Sequence, residues 1–227
     1  MANLAILPAR GGSKRIPQKN IKNFNGKPII AYAINAALKS KLFDEVMVST
    51  DDAEIAKTAK AYGAAVPFLR SADNANDYAT LSEVLIEVID QYTKEGKTFE
   101  NICCFLPTAA LITPEKIIEA YQLLTKQKFK TVVPVIKFAY PIQRALKDVD
   151  GLLQMREVEH INTRSQDLDP CFHDSGQFYW LNTDAFLSEK KVFTSNTGYI
   201  ELKEYEAQDV DTLDDWDMLE LKYKLKK

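Results

Sequence analysis

A chain of 227 residues, 46% of them hydrophobic, can bury a sizeable core in one large domain or in a domain carrying an inserted arm. Its formal charge of −3 gives no general attraction to nucleic acid, and no stretch approaches the roughly 20 apolar residues that span a bilayer. Met1-Ala2-Asn3 lacks the basic start of a secretory leader, and Cys103, Cys104 and Cys171 form neither a disulfide framework nor a zinc spacing, so a cytoplasmic location is the expectation.

Leu4-Ala5-Ile6-Leu7 reads as a buried strand, and the run after it, residues 8–20, is the most informative in the chain. Arg10, Lys14, Arg15 and Lys19 lie beside Gly11, Gly12 and Ser13 at the end of that strand. Glycine lets a backbone approach a ligand and turn its N–H groups toward it, while lysine and arginine supply charge. Ligands of open parallel sheets sit beyond the carboxyl ends of strands. The run has the composition and position of a polyphosphate-binding loop; the plainer reading is a solvated basic turn opening a helix. Neither G-x-G-x-x-G nor G-x-x-x-x-G-K-[ST] is present, since Gly26-Lys27 leads into Pro28. Ser13 lacks the surroundings of a nucleophile elbow.

Pro28 suits the first turn of a helix whose apolar stripe is Ile30, Ala33, Ile34, Ala37 and Leu38. Residues 45–49 form the next strand. Asp51 or Asp52 caps the following helix, with Ile55, Ala59 and Tyr62 inward and Gly63 at its end; one of these carboxylates could also line a ligand site. Residues 65–68 read as a short edge strand, because Pro67 cannot donate to a ladder. Arg70 is either a surface cation or a further anion contact. Thr80-Leu81-Ser82-Glu83 has the form of a capping box, opening a helix with Leu81, Val84, Leu85, Val88, Ile89 and Tyr92 on one face. Residues 101–106 make an apolar strand that points Cys103 and Cys104 to opposite faces. Thr113 and Pro114 begin a helix with Ile117, Ile118, Tyr121 and Leu124 inward, and residues 131–135 form another strand. This alternation predicts an α/β fold, a parallel sheet with helices on both faces.

Helical stripes then stop. Residues 137–172 read as an inserted arm that packs on a partner or closes over substrate, with Asp148-Val149-Asp150-Gly151 as a hairpin turn. Residues 178–181 return to strand, 185–187 fit a short helix, 199–202 a late strand, and 213–225 a final helix with Trp216, Leu219 and Tyr223 on one side. Ahead of that helix, Asp209 and Asp211 stand two apart, a spacing that puts both on one side of an extended backbone and suits a hard cation such as Mg²⁺. The alternative is that Asp211 only caps the helix. Residues 163–166 and 173–177 are polar runs of the kind found in solvated loops. His160 and His173 are too isolated for a metal, and adjacent His173 and Asp174 diverge in a strand.

Taken together, Ile6-Leu7-Pro8-Ala9-Arg10-Gly11-Gly12-Ser13-Lys14-Arg15-Ile16-Pro17-Gln18-Lys19-Asn20 closely resembles the first motif of the CMP-sialate synthetase family of cytidylyltransferases. Gly26-Lys27-Pro28-Ile29, Val48-Ser49-Thr50-Asp51-Asp52, Pro67-Phe68-Leu69-Arg70, Leu106-Pro107-Thr108 and Gln208-Asp209-Val210-Asp211-Thr212 extend the resemblance, in motif order, over nearly the whole chain. It implies one nucleotide-diphosphosugar-transferase-like, Rossmann-like domain over residues 1–227, with 137–172 as a dimerisation arm, in a homodimer whose arms reach toward the partner's sugar site. The implied reaction joins CMP from CTP to the anomeric hydroxyl of a nine-carbon 2-keto sugar acid and releases pyrophosphate. By matching position, Arg10, Lys19 and Asp211 would be catalytic. Arg10, Gly11, Gly12, Ser13, Lys14, Asn20, Arg70, Pro107 and Thr108 would bind the nucleotide, with Lys19 also on the triphosphate. Gln143, Arg144, Arg164, Gln166 and Gln177 would face the sugar acid, and Asp209 and Asp211 would hold Mg²⁺; no general base is named. Tyr140-Pro141-Ile142-Gln143-Arg144-Ala145-Leu146 and His173-Asp174-Ser175-Gly176-Gln177-Phe178-Tyr179-Trp180 look most like the branch acting on pseudaminic acid. Leu106 stands where many sialate synthetases have Gln, which argues against ordinary sialic acid, and Ala110 stands where Pro is common. N-acetylneuraminic, legionaminic or Kdo acid are the alternative acceptors. A CTP-binding sensor or scaffold without turnover is the alternative of another class.

Overall fold

The amino-terminal apolar run becomes β1 (Asn3–Pro8) of a computed structural model that describes residues 2–226. Leu4, Ala5, Ile6 and Leu7 are all fully buried, so the strand is covered on both faces. A small hairpin follows, β2 (Asn23–Phe24) and β3 (Lys27–Pro28), with Asn25 and Gly26 both at positive φ in its turn. Pro28 therefore closes a hairpin, and Ile29 is the N-cap of α1 (Ile30–Ser40). Ile30, Ala33, Ile34 and Ala37 are buried as their spacing predicts, whereas Leu38 is 41% exposed.

The chain continues through β4 (Glu45–Ser49), α2 (Ala53–Ala61), α3 (Leu81–Lys94), β5 (Asn101–Phe105), α4 (Pro114–Gln127) and β6 (Thr131–Lys137). The predicted strand at 65–68 reduces to a single bridge, Ala65 to Met47, because Pro67 breaks the ladder. The capping box of α3 forms as expected: Glu83 N–H donates to the Thr80 hydroxyl at 3.3 Å, and Thr80 N–H donates to the Glu83 carboxylate at 2.7 Å. Thr113 occupies the N-cap of α4, although its hydroxyl accepts no capping bond.

Beyond β6 lie the hairpin β7 (Leu146–Val149) and β8 (Leu152–Met155), then β9 (Phe172–Asp174), β10 (Phe178–Asn182), α5 (Thr183–Glu189), β11 (Thr197–Leu202) and α6 (Leu213–Leu225). The segment leaves the main sheet at Lys137 and rejoins it at Phe172, and those two residues are register partners.

The main sheet runs β11-β6-β10-β5-β1-β4, with β9 also on β6. Its pairings β1–β4, β1–β5 and β6–β11 are parallel, but β10 lies antiparallel between β5 and β6, as β9 does on β6. By direction the sheet is mostly parallel: five of its seven described strands run one way, and β9 and β10, both supplied by the late return of the chain, run against them. Pro134 marks where β6 changes partner: below it Val132 pairs with Trp180, above it Val135 pairs with Asp174, and Ser175 N–H bonds the Pro134 carbonyl between them.

Two apolar clusters sandwich this sheet. One packs α1, α2 and α4 against Ala5, Leu7, Cys103 and Trp180; the other packs α3 and α5 against Leu4, Ile6, Cys104 and Leu181. The neighbouring cysteines do point to opposite faces. Trp180 stacks on Phe43 at 5.0 Å between ring centroids and donates its indole N–H to the Ile117 carbonyl. A third cluster lies at the carboxyl end of β1, where Phe24 meets Tyr32, Trp216 and Tyr223 edge to face, with Ile16, Ile29, Val210 and Leu219 around it. It ties α6 to the loop after β1.

Candidate active site

The loop after β1 is held from beneath. Ala9 N–H donates to the Ser49 carbonyl and Gly11 N–H donates to the Asp51 carboxylate, both at 2.9 Å. Asp52 caps α2 by accepting from Glu54 and Ile55 N–H. The two acids divide the work: Asp52 ends the strand-to-helix turn and Asp51 pins Gly11. A Cβ on Gly11 would lie 2.8 Å from the Asp52 carboxylate, so only glycine fits. The Gly11 N–H is therefore spent inside the protein and is not presented to a ligand. Asn20, buried, donates to the Arg10 carbonyl at 3.0 Å, and Ile16 anchors in the third cluster. Between these anchors, Arg10, Ser13, Lys14, Arg15 and Lys19 line a cleft of about 600 Å³.

The facing wall comes from the other end of the chain. Thr212 caps α6 by accepting from Asp215 N–H, and Asp215 reciprocates through Thr212 N–H and its hydroxyl. Asp211 is thereby released from capping, and its carboxylate faces the cations, 2.9 Å from Arg15 and 3.6 Å from Lys19. Lys19 also donates to the Val210 carbonyl at 2.6 Å. Asp209 lines the cleft with Asp211. Burial raises the Asp209 carboxyl above the usual carboxylate range, and the charge of Asp211 adds to that. Gly176, at φ +62°, lies so close that a Cβ there would be 2.9 Å from the Asp209 carboxylate carbon. Two hard oxygen donors on one wall, one of them desolvated, suit a divalent cation, whose charge would offset both effects on Asp209. The cationic loop and the acidic pair thus share one cleft.

The remaining walls are Pro8, Leu106, Pro107 and Thr108 at strand ends, Arg70, and the start of α3 with Ala79, Thr80, Leu81 and Val84. Arg70 is not a surface cation: it is 7% exposed and donates to the Ser49 hydroxyl and carbonyl. Burial lowers the proton affinity of its guanidinium, against the pull of Asp51. Asp77, which sequence reasoning did not single out, reaches over the cleft to Arg10 at 2.6 Å and to Lys14. Those two cations hold its carboxyl below the usual range, Lys14 more than Arg10. A lone acid in a polar loop carries no local pattern that would have found it. Thr80, Leu81 and Val84 were legible as helix start and core face, but not as a wall of the cleft.

The five residues expected at the sugar acid do not line this cleft. Gln177 is 1% exposed, and its amide donates to the Ser175, Gly176 and Gln208 carbonyls. Gln143 donates to the Asp169 carbonyl, Arg144 meets Ser165 at 3.5 Å, Arg164 pairs with Asp167 at 2.7 Å, and Gln166 is exposed. The last four sit between β6 and β9, where the chain leaves the sheet. His173 bonds the Asp174 carbonyl, while the Asp174 carboxylate takes the Gly176 N–H and the Tyr179 hydroxyl, so the pair is no base and orienter.

A profile of the family described as cytidylyltransferase matches residues 4–224. The chain is 38% identical to a pseudaminic acid cytidylyltransferase of Campylobacter jejuni serotype O:2, over 99% of this chain and 97% of that one. It is 31% identical to a CMP-N,N'-diacetyllegionaminic acid synthase of Legionella pneumophila, over 97% and 95%. Among solved structures, a CMP:2-keto-3-deoxy-manno-octonic acid synthetase complexed with CTP superposes with a TM-score of 0.73 over 100% of both chains at 16% identity, a likeness of fold.

Proposed function

The chain belongs to the cytidylyltransferase family, in its CMP-sialate synthetase-like branch, and from that premise we propose that it transfers CMP from CTP to the anomeric hydroxyl of pseudaminic acid, releasing pyrophosphate. The observation that carries this reading is the meeting of Arg10, Lys14, Arg15 and Lys19 with Asp209 and Asp211 in one cleft. Transfer of a nucleotidyl group relies on alignment and charge neutralisation more than on covalent help from the protein.

Arg10, Ser13, Lys14 and Lys19 would hold the triphosphate, and Pro107, Thr108, Asn20 and Arg70 the nucleoside side. Of the glycines, Gly11 serves the loop's shape through Asp51 and Asp52, and Gly12, with open space where a side chain would stand, would leave room for the ligand. Asp209 and Asp211 would bind Mg²⁺, which when bound supplies positive charge to the phosphates and to departing pyrophosphate. Leu106 presents an apolar edge beside this wall, in keeping with an acceptor other than ordinary sialic acid. No helix among the described residues is long and apolar enough to cross a membrane, and a cytoplasmic site of action fits a CTP-consuming step.

The acceptor side requires a second copy of the chain. The arm exposes Tyr140 (85%), Leu152 (67%), Leu153 (73%) and Val158 (66%), an apolar display that a homodimer would cover. Gln143, Arg144, Arg164 and Gln166 would then reach the partner's cleft, where an arginine suits the sugar carboxylate. Replacing Leu152 and Leu153 together by Asp is expected to convert a dimer to monomers in sedimentation velocity and to raise the KM for the sugar acid more than that for CTP. Dimers of normal KM would remove the arm from the interface.

The direct test incubates the protein with CTP, Mg²⁺ and pseudaminic, legionaminic, N-acetylneuraminic or Kdo acid, and follows pyrophosphate. Fastest turnover with pseudaminic acid is the expected result. CTP binding without turnover on any acceptor would instead mark a sensor.

A further inference from the structure

The cations of the cleft are not waiting bare. Asp77 engages Arg10 through one carboxylate oxygen and Lys14 through the other, a two-pronged grip of the kind these side chains would give a phosphate. Its loop is tethered at both ends. At the entry, Glu87 accepts from the Ser71 N–H and hydroxyl and from the Asn74 amide. At the exit, Thr80 and Glu83 close the capping box of α3. Between these anchors the hydrogen bonds are internal: Asn76 donates to the Asp73 carbonyl and accepts from Tyr78 and Ala79 N–H. Tyr78, beside Asp77, is 92% exposed. The tip is fastened across the cleft through Asp77.

From this arrangement, and on the reading that Arg10 and Lys14 serve the triphosphate, we propose that Asp77 is an internal competitor of the polyphosphate, an affinity-setting residue for both CTP entry and pyrophosphate release. A carboxylate and a phosphate cannot share the same two donors at contact distance without like charges meeting. CTP must therefore displace Asp77 and lift the loop tip, and the returning carboxylate helps eject pyrophosphate once the nucleotidyl group has moved. The ligand's higher charge wins the exchange, while singly charged anions lose it. The competitor is fixed in the chain at a high effective concentration, so it weakens every polyphosphate by a constant factor.

The test is a sign. In the full-chain protein, Asp77→Asn keeps the side-chain shape but removes the charge, and is expected to bind pyrophosphate and CTP about tenfold tighter by titration calorimetry, roughly 1.4 kcal/mol. The gain should shrink as ionic strength rises past ~0.15 M. Asp77→Glu, which keeps the charge, should stay near wild type, and the product-inhibition constant of pyrophosphate should fall in Asp77→Asn by the same factor as its Kd. A loop that merely shapes the cleft would show the opposite, with weaker binding in the Asn variant. Unchanged or weaker pyrophosphate affinity in Asp77→Asn, with wild type binding CTP normally, would overturn the inference alone. Wild-type protein that binds neither CTP nor pyrophosphate would instead overturn the assignment of the cleft. Thermal melts, in which Asp77→Glu is expected to match wild type and Asp77→Asn to fall by no more than a few degrees as the ion pairs are given up, confirm that the comparison is between folded proteins.

Discussion

Asp211→Ala is expected to lower kcat by about 10²–10³-fold, the loss that follows removal of one preorganised charge-stabilising group. Asp211 is free to act because Thr212 and Asp215 cap α6 without it. It also restrains Arg15 and Lys19, so its removal acts in two directions. With the metal chelated, the variant should bind CTP at least as tightly as wild type, since two cations gain freedom to meet phosphate. With Mg²⁺ present, kcat should collapse. Steady-state pyrophosphate release and calorimetry with and without chelator separate the two effects. A kcat within about threefold of wild type would remove Asp211 from the chemistry.

Lys19→Met should be nearly as damaging, with kcat/KM down by about 10²-fold or more. Methionine keeps most of the apolar stem and removes the ammonium, so the loss reads out the contacts of that group and not the volume of the side chain. Lys19 is the most enclosed of the loop's ion-paired cations, its side chain 23% exposed against 35% for Arg10, 65% for Arg15 and 79% for Lys14. It is also fastened to the Val210 carbonyl at 2.6 Å, and so joins the two walls. Removing it both takes charge from the phosphates and loosens the acidic segment. Wild-type kinetics in Lys19→Met would show that Arg10 and Lys14 suffice.

The parts of this protein that were legible in its sequence are those where one local pattern fixes the answer. Thr80 and Glu83 announced their capping box, Cys103 and Cys104 their opposite faces, and the run from Pro8 to Asn20 its place at a strand end. The direction of β10 was not legible, because apolar residues 178–181 pack equally well in either sense, and only the return from the arm sets it. The cap of α6 went unread although it was legible: Thr212 and Asp215 stand at the spacing of Thr80 and Glu83, and Asp211, the cap that was considered, lies one residue outside that box. The use of the Gly11 N–H by Asp51 was hidden: glycine predicts an open backbone but not what fills it. Asp77 was the largest omission. Its partners Arg10 and Lys14 lie more than 60 residues away in the chain, where no motif reaches.

The third apolar cluster binds the fate of the cleft to the last helix. Trp216 and Leu219 of α6 pack on Phe24 and Ile16, beneath the cations, and Arg15 meets Asp211 across 196 residues of chain. On a ribosome adding ~5–20 residues per second, the amino-terminal cations emerge roughly ten seconds or more before their acidic counterpart. A nascent chain can therefore build most of its sheet with one wall of the cleft absent, and gains a site able to act on CTP only once the acidic segment and α6 have been made.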